Sequence, residues 1–269
     1  MGHVESLYVH PIKSLDPVAV ESARIVTNGG LDCDRRYVML DEDGEYVNGK
    51  RERAVHRIRS RIDRNAATVT LWQQGENDRQ QFHLDDERAA VESWLGDAIG
   101  YPIDLARDDE GGLPDDTDAS GPTVITAGTL ERVASWYDGI APGEMRRRLR
   151  PNVVIGGVEP FWEDHLYEAP GTVVPFDVGD ARLHGVNPCQ RCIVPTRDPD
   201  TGEPTAGFQE TFMERRRNTL PEWASEAWYD HYFRLMVNTR VPELSGAAAR
   251  RRRRPRRSAH PTTARGRGC

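Results

Sequence analysis

The sequence predicts a mainly β protein with peripheral helices, an α+β chain built from two β-barrel-like parts. Three observations carry that expectation. Short segments alternate apolar and polar residues at the period of two that a half-buried strand requires, with turn residues between them. Few stretches repeat their apolar residues at helical spacing. Residues 107–121, rich in Asp, Gly, Pro and Ser, separate the halves of a 269-residue chain, a length that suits two ordinary domains with their own cores.

Taken in order, residues 4–9, 18–27 and 37–41 alternate as strands, and Asp41-Glu42-Asp43-Gly44 reads as a hairpin turn before a strand at 45–48. Residues 67–72 and 80–84 form a further pair around the polar Gly75-Glu76-Asn77-Asp78. So many short strands argue for a barrel or sandwich. Ala89, Ala90, Val91, Trp94 and Leu95 then recur at helical spacing, ending near Gly96, as one helix packed on the barrel. Beyond the loop, residues 123–125 read as strand, and Leu130, Val133 and Trp136 mark a helix. A helical turn at 145–149, a strand at 152–155 and a hairpin over 172–185 with its turn at Gly179-Asp180 follow. Helical character returns over 208–217 and 221–231, and 232–239 reads as strand. The expected units are residues 1–106, 107–245 and a tail, 246–269.

Composition limits the function. No window of about 18 apolar residues exists, so no membrane span or association is expected. The N-terminus fits a myristoylation pattern, but Val4 onward is needed as strand. Four cysteines do not make a disulfide scaffold, which points to a reducing compartment, and a cytoplasmic location is expected. Residues 250–269 carry nine arginines and no acid, which leaves 27 basic against 43 acidic side chains elsewhere, a net of −16. Such an acidic body repels itself and is screened by salt. The arginine tail lacks interleaved aromatics and has Pro and Ala filler, so nucleic acid is not expected as a partner; disorder and a non-native origin are.

Chemistry concentrates at Asn187-Pro188-Cys189-Gln190-Arg191-Cys192-Ile193-Val194-Pro195-Thr196. A thiol directly after a guanidinium, between a strand and a tight turn, favours thiolate, so Cys192 is the first candidate for metal ligand or nucleophile. Alternatives stand beside it. A zinc half-site needs two more ligands, and only Cys33 and Cys269 remain as cysteines. A redox dithiol normally opens a helix, which Pro195 opposes. Two packed structural cysteines are the plainest reading. The chain's two lysines are Lys13 and Lys50, and Lys13-Ser14 sits where a strand ends, the kind of place that binds an anion or simply faces solvent. Asp-Pro-Asp-Thr-Gly at 198–202 is turn chemistry with no catalytic role assigned. The eight histidines show no paired-ligand spacing, and no glycine-rich phosphate loop is present.

The run from Pro188 through Thr196, continued by Asp198-Pro199-Asp200-Thr201-Gly202, resembles the signature of the MOSC family, the domain found in molybdenum cofactor sulfurases and amidoxime-reducing components. His10-Pro11-Ile12-Lys13-Ser14 and Gly30-Leu31-Asp32-Cys33-Asp34-Arg35-Arg36-Tyr37 resemble the β-barrel domain that precedes MOSC in the amidoxime reducers. The resemblance covers residues 1 to about 240. It implies a MOSC N-terminal β-barrel domain over 1–106, a MOSC domain over 107–245, and molybdenum cofactor (Mo-molybdopterin) held through Cys192 as metal ligand and catalytic residue. Lys13, Ser14, Arg35, Ser120, Arg150, Asn152, Gln190 and Arg191 are the cofactor-binding positions that it implies. In the Ser120-Gly121-Pro122 run the second hydroxyl of the family's pair is absent, and Gln190 stands where the family has serine.

The activity implied is oxidoreductase chemistry, the removal of oxygen from small N-hydroxylated compounds. The iron–sulfur pattern that some relatives append is missing, so a separate electron donor, ferredoxin-like or a flavin reductase, is expected. The alternative is a cofactor carrier or sulfur-transfer protein using Cys192.

Overall fold

The computed structural model describes residues 2–242 and 248–250. The expected disorder of 246–269 therefore falls outside the described residues, apart from 248–250, which differ from that expectation by forming a short strand antiparallel to Ser22–Arg24. In chain order the described residues form β1 (His3–Val9), β2 (Val18–Val20), β3 (Ser22–Arg24), β4 (Tyr37–Leu40), β5 (Ile58–Asp63), β6 (Thr68–Gln73), β7 (Gln80–His83), α1 (Arg88–Ile99), β8 (Asp104–Arg107), β9 (Val124–Thr126), α2 (Ala127–Ala134), α3 (Pro142–Leu149), β10 (Val153–Gly156), β11 (Val174–Val178), β12 (Ala181–Gln190), α4 (Phe208–Thr219), β13 (Arg234–Arg240) and β14 (Ala248–Arg250). The fold is mainly β with peripheral helices, as the patterning predicts.

The largest sheet has the order β11-β12-β13-β9-β10-β1-β2 and is open, with β11 and β2 at its edges; no sheet among the described residues closes into a barrel. Its one parallel pair is β9 with β10. The N-terminal strand enters this sheet because Leu7 and Val9 alternate toward one face, an irregularity between Val4 and Ser6 brings Val4 to the same core, and β1 pairs antiparallel with β10, Leu7 opposite Val153. One core therefore joins Val4, Leu7, Val9 and Leu31 to Val124, Val153, Leu183 and Val237 from the other end of the chain. A second core lies under β4–β8, β5–β6–β7 and α1, and a third lies between the large sheet and α2, α3 and α4.

Local sequence explains several element ends. The Thr126 hydroxyl caps α2 by accepting from Thr129 N at 3.1 Å. Pro142 opens α3 and Arg146, Arg147 and Arg148 fill its last turn, where cations suit the helix dipole, so the helix is longer than the predicted turn at 145–149.

Other predicted elements differ. The strand expected over 18–27 is broken into β2 and β3, and 45–48 keeps only a single bridge, Leu40 to Tyr46. Both β5 and β8 were unpredicted strands. The helix expected over 221–231 is a 3-10 turn at Glu226–Trp228. There Tyr229 turns inward to a buried network: its hydroxyl lies 2.6 Å from that of Tyr167 and accepts from Arg216 at 2.9 Å, while Arg216 pairs with Asp164 at 2.7 Å. No described helix is long and apolar enough to cross a membrane.

Candidate functional site

Strand β12 delivers the cysteine motif. Its pairing with β13 shifts register between Gly185 and Asn187 and again between Pro188 and Gln190, and Pro188, which has no N–H to give a ladder, sits at the second irregularity. A Cβ on Gly185 would overlap the Leu166 carbonyl, so only glycine lets β12 lie this close. After Arg191 N donates to Phe233 O at 2.9 Å, the chain leaves the sheet at Cys192 and turns at Val194–Thr196. Only this single 3-10 turn follows, with Pro195 inside it, and no α-helix starts here.

A cavity of about 740 Å³ opens at this exit. Lys13, Ser14, Arg35, Ser120, Arg150, Gln190, Arg191 and Cys192 all line it, although the chain separates the first from the last by most of its length. Asn152 does not line it. It is 1% exposed, its Oδ1 accepts from Thr123 N and Oγ1 at 3.1 and 3.2 Å, and its Nδ2 donates to Tyr8 O at 3.1 Å, so it pins β10 to β1 and to the entry of β9. Four of the seven non-glycine residues with positive φ, namely Ser14 (77°), Arg35 (52°), Arg150 (56°) and Met236 (72°), are on the cavity wall. Strained backbone of this kind persists where the surroundings fix it, and it clusters at functional sites.

The wall is cationic in an acidic protein. Eleven Lys and Arg side chains, among them both lysines of the chain, face four Asp. Lys13 Nζ lies 3.0 Å from Asp115 and donates to Leu113 O at 3.2 Å. Arg35 pairs with Asp34 and reaches Asp115 at 3.5 Å. Burial alone would raise the Asp34 carboxyl, but the Arg35 guanidinium and His10 outweigh it and hold the group well below the usual carboxylate range. Burial, with Arg150 beside it, pushes His10 down to about 3, so its imidazole is neutral, and its Nδ1 is buried without a hydrogen-bond partner.

Arg150 has no carboxylate in ion-pair contact among the described residues; its Nη2 donates to Leu15 O at 2.8 Å. Burial and then Arg35 lower it to about 10. This is a cation held at a cost. Arg191 does not turn toward Cys192. Its Nη1 donates to Cys189 Sγ at 3.1 Å and its Nη2 to Leu149 O at 2.9 Å, while its Nε is buried without a partner. The Cys192 thiol has no hydrogen-bond partner among the described residues, and Cys33 is not on the wall.

Residues 1–102 match the MOSC N-terminal beta barrel domain and residues 124–231 match the MOSC domain. The chain belongs to the MOSC-domain family. Two curated relatives are similar to it. Molybdenum cofactor sulfurase of Oryza sativa subsp. japonica is 24% identical over 247 residues, covering 75% of this chain and 29% of the relative. Mitochondrial amidoxime-reducing component 1 of Danio rerio is 25% identical over 242 residues, covering 75% of this chain and 70% of the relative. The MOSC chain described here thus spans under a third of the rice sulfurase.

The Asp198–Gly202 turn of this MOSC protein lies behind the wall that Arg197 and Pro199 line. Asp198 closes its own turn, accepting from Asp200 N and Thr201 N, each at 2.9 Å. Asp200 is then free to grip both parts of the chain: its carboxylate takes Arg147 at 2.9 and 2.5 Å and Arg59 at 3.1 Å, and Arg59 also holds Asp16 at 2.9 Å. The turn thus forms an ionic clasp between Arg59 and Arg147, both of which line the cavity. Arg59, Arg147, His56 and Arg197 were missed, and the only signals for them were arginines alternating along 57–61 and the arginine run at 146–148.

Proposed function

We propose that the cavity holds molybdenum cofactor with Cys192 as the thiolate ligand, and that the protein reduces N-hydroxylated compounds with electrons from a separate donor protein. The observation that carries this reading is the convergence of Lys13, Ser14, Arg35, Arg150 and the Gln190–Cys192 run on one cationic cavity. Supporting it are a partnerless thiol at the strand exit, the chemistry a soft metal needs, and two wall guanidiniums, Arg150 and Arg191, with no carboxylate in ion-pair contact among the described residues, which suit an anionic pterin phosphate.

On this reading the cofactor supplies the two-electron chemistry that takes the substrate from N–OH to N–H and water, with two protons consumed. The chain's part is positional. Lys13, Arg35 and Arg150 hold the phosphate and pterin, Asp34 keeps Arg35 aimed, and the clasp at Asp200 closes the wall. Asn152 acts beneath the site by fixing β10, from which Arg150 projects. A cytoplasmic setting belongs to the same proposal.

The likeness to a sulfurase supports a second reading, a cofactor carrier or sulfur-transfer protein using Cys192. Molybdenum and pterin analysis of the purified protein, followed by reduction of benzamidoxime with a chemical electron donor, separates the two. Bound molybdenum with turnover supports the reductase; bound molybdenum without turnover supports the carrier; absence of both metal and pterin after loading defeats both.

A further inference from the structure

Nine arginines line the cavity, and their partners sort them. Arg35, Arg59, Arg147, Arg148 and Arg234 each hold a carboxylate. Of the other four, Arg150 and Arg191 belong to the family motifs, and Arg146 lies over the Tyr8 ring, 4.3 Å from its centroid. Arg197 is left over.

Its surroundings are built to hold it still. The backbone is fixed on both sides, with Arg197 N donating to Val194 O at 3.0 Å and a bridge to Pro204 across the turn. One end of the guanidinium donates to Gly202 O at 3.2 Å, inside the same turn. The Nε is buried and has no acceptor. Across from it stands His56, its ring close to Gly202, where a Cβ would meet His56 Cδ2 at 3.2 Å. Burial first, and the Arg197 and Arg150 guanidiniums with it, lower the His56 imidazole against the opposing Gly49 carbonyl and Asp198, and no carboxylate lies in ion-pair contact with Arg197 among the described residues. A half-buried cation on the cavity wall, held by a single carbonyl and by no carboxylate among the described residues, is placed to receive an oxyanion at the rest of its guanidinium. The cofactor positions drawn from the motifs do not use it.

We propose that Arg197 is a specificity-determining residue that binds an oxyanion substituent of the substrate, so that the preferred N-hydroxylated compounds carry a carboxylate. This rests on the reductase reading for the word substrate, though not for the anion site itself. A pair of compounds of one shape tests it: benzamidoxime and 4-carboxybenzamidoxime, offered to the cofactor-loaded wild type, Arg197→Gln and Arg197→Lys.

A charge-assisted contact of this kind is expected to favour the carboxylate compound by about tenfold or more in kcat/KM. In Arg197→Gln the loss on the carboxylate compound should exceed the loss on the neutral one by a similar factor, with Arg197→Lys between. Calorimetric binding of both compounds without an electron donor gives a readout that needs no turnover. Equal affinities in the wild type, equal losses in the variant, or a fall in bound molybdenum in Arg197→Gln would each overturn the proposal, the last by giving Arg197 to the cofactor. If the carboxylate compound binds through Arg197 but neither compound is reduced, the anion site stands and the reductase reading fails.

Discussion

The Arg191 guanidinium donates to Cys189 Sγ at 3.1 Å, three residues before the cysteine that the motif singles out. The two thiols of Cys-x-x-Cys are therefore in different situations, one engaged and one without a partner. If Cys192 is the sole protein thiolate on molybdenum, Cys192→Ser should remove bound metal and reductase activity, because a serine oxygen is a harder ligand. Cys189→Ser should keep most of both, since a hydroxyl can still accept from Arg191. A redox dithiol or a zinc half-site needs both sulfurs. Metal content and activity that fall equally in the two variants would reject the assignment.

Arg150 and Arg36 give a contrast in partners. Arg36 pairs with Asp32 at 3.1 Å, whereas Arg150, also half-buried, has no carboxylate in ion-pair contact among the described residues and has its pKa depressed to about 10. Arg150→Met should reduce cofactor retention far more than Arg36→Met. It should also leave the cofactor-free protein as stable as wild type or more so, because a half-buried charge without a carboxylate partner is removed. Molybdenum occupancy and the thermal midpoint of cofactor-free protein check the two halves of this expectation.

What the sequence made legible depended on range. Lys13, Ser14, Arg35, Arg150 and Cys192 could be found because each sits in a local run whose residue order is itself informative, and strands such as β1 because Leu7 and Val9 alternate with polar neighbours. Arg197 falls at the one unassigned position inside the motif run, between Thr196 and Asp198, and His56 lies in no run; their placement side by side depends on Gly202 packing against the Arg53–Arg57 turn, a contact made only in the folded chain. Strand β5 was available in the alternation of Ile58, Ser60 and Ile62, but arginines on the other face masked it. Asn152 reads from its motif as a ligand, yet its amide is consumed by Thr123 and Tyr8. The division at residue 107 is a loop in sequence, but β1 pairs with β10 across it.

Asp200 is the test of the clasp. Its carboxylate is about one-third exposed and joins Arg59 to Arg147, and the hydrogen bond from Arg147 lowers its pKa. Asp200→Asn should cost about 0.5–1 kcal/mol of stability once solvent screening is allowed for, and the cost should shrink in high salt. Urea unfolding at two salt concentrations measures it; a cost that is the same at both would mean the contact is steric and not ionic.

The last expectation concerns pH and sets two buried groups against each other. His10 is lowered from 6.5 to about 3, mainly by burial, so between those values the unfolded chain binds a proton that the folded one does not, and stability rises with pH. Glu163 is raised from 4.5 to about 7 by burial and then by Asp164, while its Oε2 accepts from Thr129 at 2.9 Å. Between 4.5 and 7 the folded chain is the one holding the extra proton, so this group makes stability fall as pH rises. From about pH 4.5 to 6.5 the two slopes oppose, each at most about 1.4 kcal/mol per pH unit. His56, lowered chiefly by burial, adds to the His10 side, and Asp34 and Asp115, both depressed, act only below the carboxylate range near 3.8. Single variants separate them. Glu163→Gln should steepen the rise of stability with pH in this window, and His10→Gln should reverse or flatten it by a similar amount. Urea unfolding of wild type and both variants at half-unit steps reads the slopes directly, and a His10→Gln slope equal to that of wild type would mean that His10 is not held neutral in the fold.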